Sequence, residues 1–581
     1  MKKFDPISLG LIVGILAVTL MLVRQWDQFQ IERQQQAMAP SQSFQQNQLS
    51  QAGASDLPAA PVVGSNAQPL ASDLPAVPGA AAELPITPAS SQYTLQNDLL
   101  KLTFSALGGD LVDARLLQHY IDLESREPIQ LLIDNGNRTY VAQTGLVGQN
   151  GTDTAEGRPL FSAAQPQVIM SEGQDRVSLD LVYQTQEALI TKRFSLNRGD
   201  YYIEVDYLVE NLGTSTWSAA YYAQIKRDSF EPVANVGVGV KPFVGFALTS
   251  PDNRYDKYKF KDLDSQRVQM QVDQGWVAML QHYYLTALLP DSQRPLNYNL
   301  RASSQPNTYL GGFTQSALSL APGATGEINA GIYIGPKDQY RLKEIAEHLD
   351  LTIDYGWIWW AAQPVYAVLN FLHTGEYSLL GFEGVLFSGF ANWGICIILL
   401  TLLVKLAFFR LSAASYRSMA KMRKLQPKMT ALKERLGDDK QAFSQEMMKL
   451  YQKEKVNPMG GCLPMLIQMP VFIALYWVLL ESVEIRHEPF FLWIVDLSAK
   501  DPWFILPLIM GASMWFQMRL NPTPPDPTQA KVMQMMPIMF TFLFMWFPAG
   551  LVLYWVSNNL LSIAQQLIIT RSIENADSKP A

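Results

Sequence analysis

The stretch Trp393-Gly394-Ile395-Cys396-Ile397-Ile398-Leu399-Leu400-Thr401-Leu402-Leu403-Val404-Lys405-Leu406-Ala407-Phe408-Phe409-Arg410-Leu411 constrains this chain more than any other. It is long and apolar enough to cross a bilayer as a helix. Yet Lys405 stands inside it, with aliphatic residues on both sides. An ammonium at membrane depth is costly, so it needs water, a partner or a use. A polar segment dense in Lys and Arg follows at once, and such segments favour the cytoplasmic side. The pattern predicts a device built around one positive charge in the cytoplasmic half of a membrane.

The chain has 581 residues, enough for more than one domain. Its 48% hydrophobic content hides two unlike halves, polar before about residue 336 and very apolar after it. A net charge of −7 argues against a nucleic-acid substrate. The two cysteines, Cys396 and Cys462, lie in or beside apolar segments of the second half, so no disulfide framework supports the polar half. The five histidines lack metal-ligand spacing, and neither a metal nor a cofactor is expected. There is no nucleophile elbow, HExxH helix or phosphate loop, so the chain does not read as an enzyme. Glu481 and Glu484 read as solvated groups at the outer end of a helix rather than as a catalytic pair.

In chain order, Met1-Lys2-Lys3 precedes an apolar run from Ile7 to Val23. The nearest small-residue cleavage pattern, Ala37-Met38-Ala39, lies too far downstream for ordinary processing. Residues 1–27 therefore read as an uncleaved transmembrane anchor with its basic end in the cytoplasm. Residues 28–91 are rich in Gln, Ala, Ser and Pro and predict a disordered periplasmic linker. By the square-root rule it would reach roughly 40 Å on average. Over 92–336 the texture alternates, as in Ser178-Leu179-Asp180-Leu181-Val182-Tyr183 and Tyr202-Ile203-Glu204-Val205-Asp206-Tyr207-Leu208-Val209. Turn clusters such as Asn135-Gly136-Asn137 and Asn197-Arg198-Gly199-Asp200 punctuate it. The expectation is a periplasmic all-β sandwich.

Beyond Pro336, Leu342, Ile345, Ala346, Leu349 and Ile353 recur at helical spacing, and Trp357-Ile358-Trp359-Trp360 forms an interfacial aromatic cluster. The run Trp357–Leu372 could span the membrane or lie on it. If it spanned, the basic segment after Leu411 would face the periplasm, so 337–390 reads as amphipathic and interfacial helices. An α-helical five-helix transmembrane core then occupies 391–571. Its crossings are 391–411, 463–483, 503–520, 532–547 and 550–570, with a cytoplasmic helical hairpin at 412–461. The hairpin breaks at Gly437-Asp438-Asp439 and stops at Asn457-Pro458 and Gly460-Gly461. Residues 572–581 form a cytoplasmic tail, and both termini face the cytoplasm.

Lys405 heads the candidate functional residues. Thr401 lies one turn before it, and Ser412 lies seven residues on, roughly 10 Å at helical rise. This partly polar face favours a wet groove, while snorkelling to the headgroups is the structural alternative. Asn558, Ser562 and Gln565 share one face of the last helix and either line a cavity or glue helices together. Methionines crowd the hairpin and the later helices, either as core filler or as a surface that accepts many apolar sequences.

At Ser418-Met419-Ala420-Lys421-Met422-Arg423 and at Gln445-Glu446-Met447-Met448…Glu454-Lys455-Val456-Asn457-Pro458-Met459-Gly460-Gly461-Cys462-Leu463-Pro464, the chain closely resembles the YidC family of bacterial membrane protein insertases. Gln468-Met469-Pro470-Val471-Phe472 and Phe547-Pro548-Ala549-Gly550-Leu551-Val552-Leu553-Tyr554 extend the match. The resemblance implies an insertase and chaperone of the inner membrane, multi-pass, working alone or with the Sec translocon. It implies a hydrophilic groove open to cytoplasm and lipid, with one positive residue that attracts a substrate's acidic flank. That position is Lys405 here, where familiar members carry Arg, so the bidentate fork is lost. Thr401, Phe472, Met510, Tyr554 and Trp555 fall at or near positions that line the substrate path, to which the polar residues Asn558 and Ser562 are added. Trp555 stands where Tyr is common. Met419, Lys421, Met422, Arg423, Met447 and Met448 are the implied hairpin contacts. The implied partners are nascent membrane proteins, the Sec translocon (SecYEG, SecDF) and the lipid bilayer, with ribosomes or the signal recognition machinery as further candidates. The short tail is not basic, which weakens a ribosome contact there, and 375–390 is longer than the family pattern. The rival reading is an anion transporter or channel using Lys405, against which stands the lack of a convincing internal repeat.

Overall fold

The structure, a computed structural model, describes residues 56–58, 91–154, 157–232, 242–291, 294–379, 382–436, 439–454, 463–521 and 527–577. The anchor expected at 1–27, most of the linker, the break at Gly437-Asp438 and the stop at Asn457–Gly461 lie outside them. The described residues form two compact units divided between Thr352 and Ile353.

The first unit is built of strands. They are β1 (Gln92–Gln96), β2 (Leu100–Ser105), β3 (Leu111–Tyr120), β4 (Pro128–Asp134), β5 (Thr139–Val147), β6 (Gln167–Ile169), β7 (Arg176–Gln184), β8 (Ala188–Asn197), β9 (Tyr202–Asn211) and β10 (Trp217–Asp228). There follow β11 (Gly245–Leu248), β12 (Asp256–Tyr258), β13 (Val268–Val272), β14 (Val277–Leu280), β15 (Tyr284–Leu289), β16 (Leu296–Ala302), β17 (Thr308–Gln315), β18 (Leu318–Leu320) and β19 (Thr325–Pro336). One sheet runs β13-β16-β17-β10-β5-β4-β3-β2-β1-β6, with β18 also on β10; the other runs β12-β11-β14-β15-β19-β9-β8-β7.

Alternation decides which side chains enter the space between the sheets. On β9, Ile203, Val205, Tyr207 and Val209 are buried and the residues between them are not. Tyr207 meets Tyr221 of β10 at 5.4 Å between ring centres, and Phe104 of β2 meets Phe194 of β8 at 4.3 Å. Tyr140 of β5 donates to Thr286 of β15 at 2.8 Å. Lys192 of β8 is fully buried, and its ammonium donates to the carbonyls of Gly108, Gly109 and Thr144 at 2.8–3.0 Å. The predicted turns close hairpins: the Asn135 side chain accepts from the Asn137 and Arg138 amides, and Gly136 adopts φ +80°. An all-β sandwich is what stands at 92–336.

Two expectations for the first half need correction. Asp56-Leu57-Pro58, inside the predicted disordered linker, is ordered and packed on the β-domain. The helix read through Leu342 to Ile353 is also broken. Asp338 caps α1 (Gln339–Ile345) by accepting from the Tyr340 and Arg341 amides. Ala346 then turns extended and His348 takes φ +66°, leaving one 3-10 turn at Leu349–Thr352.

The second unit is helical: α2 (Trp359–Thr374), α3 (Trp393–Ala407), α4 (Phe409–Leu436), α5 (Lys440–Lys453), α6 (Leu463–Glu481), α7 (Ile505–Leu520), α8 (Pro527–Phe544) and α9 (Ala549–Asp577). The α9 helix packs on α3, α4 and α7, while α2 packs on α3 and α6. Residues Glu376–Leu379 (β20) and Phe382–Val385 (β21) pair antiparallel, so the long segment after α2 is a β-hairpin where only helices were expected. The stretch expected as one crossing, 391–411, is broken at Phe408, where α3 and α4 meet at a 69° bend. Glu481, expected to be solvated, is only 4% exposed. Among the described residues no single helix is both long and apolar enough to cross a membrane; the bent pair α3 and α4 is so only when taken together.

Candidate functional site

Lys405 sits two residues from the C-terminal end of α3, whose N-terminus Asn392 caps by accepting from the Ile395 amide at 3.0 Å. Leu402, Leu403 and Leu406 on the same helix are exposed, whereas Lys405 is 7% exposed. Its ammonium turns inward, donating to Ser562 Oγ of α9 at 2.7 Å and Gln468 Oε1 of α6 at 3.3 Å. Snorkelling is therefore not the conformation observed. Both partners are neutral, and neither supplies the carboxylate that a buried cation would pair with most strongly.

The surroundings of this charge are polar but incompletely bonded. Ser562 donates to the Asn558 carbonyl one turn earlier at 2.6 Å. Among the described residues, Gln468, which touches the ammonium, keeps its Nε2 buried without a protein partner; elsewhere in the bundle Ser412 Oγ on α4 and both side-chain polar atoms of Gln565 on α9 are likewise buried and unpartnered. Buried polar groups are nearly always satisfied in proteins, so the unpartnered amide nitrogen of Gln468, on a side chain that touches the ammonium, marks a place suited to water or to a polar guest.

Sequence reasoning placed Ser562 and Asn558 near Lys405 and missed Gln468. The signal for Gln468 was present: an amide interrupts the apolar run that opens α6. Thr401 is 1% exposed and lies on α3, but its hydroxyl donates to the Ile397 carbonyl at 2.7 Å and so is used within its own helix. Phe472, Tyr554 and Trp555 do come together. Trp555 meets Phe472 edge-on at 4.8 Å and Phe544 at 5.1 Å, and Tyr554 lies 6.2 Å from Phe472. Met510 is fully buried in α7. Beside it Ser513 accepts from Asn559 of α9 at 3.0 Å, and Gln566 reaches the Leu520 carbonyl and Asn521. Those three polar residues bond helix to helix, a role the sequence reading offered only for their neighbours.

The hairpin of α4 and α5 divides its predicted contacts. Met422 and Met447 pack inward on Leu425, Met429 and Tyr451. Met419 packs at the base against Ala413, Tyr416 and Ile569 of α9. Lys421, Arg423 and Met448 are exposed. Lys428 of α4 and Glu454 beyond α5 pair at 2.7 Å.

Around the bundle, large apolar side chains face outward: Trp515 and Phe516 on α7, Met535 and Ile538 on α8, Leu560 and Ile568 on α9. Trp357, Trp359 and Trp360 are 69%, 57% and 55% exposed. So much exposed apolar surface calls for a non-aqueous surround.

Comparison with known proteins agrees along the whole chain. Residues 92–368 match the family described as the YidC periplasmic domain, and residues 385–576 match the family described as 60Kd inner membrane protein. The membrane protein insertase YidC of Cellvibrio japonicus is 50% identical over 574 residues, covering 98% of this chain and 99% of the relative. That of Pseudomonas entomophila is 47% identical over 578 residues, with the same coverage. Among solved structures, an active YidC insertase with its first transmembrane domain resolved is 21% identical, covers 82% of this chain and 92% of its own, and has a TM-score of 0.37.

Proposed function

From the premise that the chain belongs to the YidC family of membrane protein insertases, we propose that it integrates nascent inner-membrane proteins through the polar pocket around Lys405. It is an insertase rather than an enzyme, and nascent membrane proteins are its substrates. An acidic or polar flank of the substrate enters from the cytoplasm and is held by the Lys405 ammonium, displacing the weaker neutral contacts to Ser562 and Gln468. The apolar segment of the substrate slides past the aromatic side chains of Phe472 and Trp555 into lipid. Hydrophobic transfer and the membrane potential supply the work.

The bundle helices α3, α6, α7, α8 and α9 are the proposed membrane core, with the α4–α5 hairpin in the cytoplasm, both termini cytoplasmic and residues 1–27 as the anchor. At 15 residues, α3 is about 22 Å long, short of a hydrocarbon core of about 30 Å. A helix this short is accommodated by thinning the bilayer, which shortens the path of a polar flank. The hairpin, through Met419, Lys421, Met422, Arg423, Met447 and Met448, is the proposed receiving surface. The protein acts alone or beside the Sec translocon (SecYEG, SecDF), with the β-domain on the periplasmic side.

The observation that carries this reading is the inward ammonium with only neutral partners. It is tested by following insertion of a short single-span protein with an acidic outer flank in cells depleted of the wild-type protein. Lys405→Ala should reduce insertion about tenfold or more, whereas Lys405→Arg should restore it. Normal insertion with Ala would reject the pocket as the route.

A further inference from the structure

Three residues of the linker are seated on the β-domain by more than packing. The Asp56 carboxylate accepts from Lys226 Nζ at 2.6 Å and from Ser303 Oγ at 2.8 Å. Its backbone carbonyl accepts from Gln224 Nε2 and from an Arg301 terminal nitrogen, each at 3.1 Å. Leu57 packs on Val147, Ala220 and Tyr222, and Pro58 is buried. On β10, Tyr221 points into the sandwich, so Tyr222, Gln224 and Lys226 point to the opposite, outer face. Burial pushes the Asp56 carboxyl up, but the hydrogen bond and charge of Lys226, helped by Ser303 and Arg301, outweigh it and hold the group below its ordinary range.

A surface that reads a carboxylate, a backbone carbonyl and an apolar side chain together has the chemistry of a short-peptide site. The linker carries the same peptide twice. Ala54-Ser55-Asp56-Leu57-Pro58-Ala59 recurs as Ala71-Ser72-Asp73-Leu74-Pro75-Ala76, and Glu83-Leu84-Pro85 is a shorter variant. We infer that the outer face of β10 and β16 is a docking site for an Asp-Leu-Pro peptide, occupied by Asp56-Leu57-Pro58 and able to exchange it for the second copy, residues 73–75.

Chain reach selects the second copy over the third. Five strand steps separate β10 from β1, roughly 24 Å at about 4.8 Å each. From Pro75 to the start of β1 there are 17 residues, which stretch to about 55 Å and average about 22 Å as a coil. From Pro85 there are 7, which reach about 24 Å only when fully extended. Glu83 also carries an extra methylene where Asp56 fits. Exchange from the first to the second copy moves the docking point 17 residues along the chain. The stretch between the N-terminus and the β-domain would then have two set lengths.

The test uses the full chain in detergent micelles with Cys396 and Cys462 replaced by Ser. Cysteines are placed at Ser72 and at Ser304, next to the Asp56 contact. Disulfide formation between them should be low, and should rise about tenfold when Asp56→Ala and Leu57→Ala empty the site. Asp56→Asn, which keeps the shape, should move it in the same direction by less. No rise in either variant overturns the exchange. A labelled peptide of residues 71–78 should bind saturably only when both copies are erased (Asp56, Leu57, Asp73 and Leu74 all to Ala), and about tenfold more weakly after Ser303→Ala. Failure of the doubly erased protein to bind that peptide, or equal binding by wild type, overturns the docking site.

Discussion

Lys405 was legible because charge inside an apolar run is conspicuous whatever the fold. Its partners were less so, since an amide such as Gln468 can face a cavity, another helix or its own backbone, and sequence does not choose among them. Thr401 shows the same ambiguity resolved the other way, its hydroxyl turned to the Ile397 carbonyl. If Ser562 and Gln468 only position the ammonium, Ser562→Ala with Gln468→Leu should lower insertion of the same single-span protein severalfold, less than Lys405→Ala does. In the β-domain, burial pushes the Asp134 carboxyl up to about 6, with Lys226 opposing and Asp110 adding to the shift. An acid whose folded pKa is raised contributes stability that is full below its ordinary value near 4 and is lost as pH rises through about 6. Asp134→Asn should therefore flatten the pH dependence of β-domain melting between about 4 and 6, a difference of at most about 3 kcal/mol.

At the scale of elements, helix existence followed from apolar run length, and breaks followed from local chemistry that periodicity does not report. The bend at Phe408 falls within an unbroken apolar run with neither Gly nor Pro at the break. The hairpin β20–β21 was missed because each strand is only 4 residues long, too short a window for alternation to stand out from chance. It is closed by Gly375, which takes φ +78° and whose Cβ, if present, would run into the Phe387 carbonyl. Gly375→Ala should displace residues 376–390 and raise their amide exchange while leaving α3 protected. The α4–α5 hairpin is held by a small apolar cluster, so each member weighs heavily. Leu425→Ala should cost about 2–3 kcal/mol of local stability, read as faster proteolysis within the hairpin and unchanged protection of α9.

For the whole molecule, short helices with outward apolar faces predict that the surrounding lipid matters. Reconstituted in short-chain and long-chain phosphatidylcholine, the protein should insert substrate faster in the thinner bilayer; equal rates would count against thinning as part of the mechanism. Composition and periodicity alone determined that a β-rich half precedes a helical, membrane-seeking half, because burial patterns with periods of two and about 3.6 are written residue by residue. They also singled out one unavoidable buried charge. Only the tertiary structure decided which way that charge turns, that Gln468 of α6 and Ser562 of α9 meet it, and that a linker peptide is seated on β10. Those outcomes depend on residues 63, 157 and 170 positions apart in the chain coming within hydrogen-bond distance. Contacts at that separation are set by how whole elements pack, and no local pattern carries the packing.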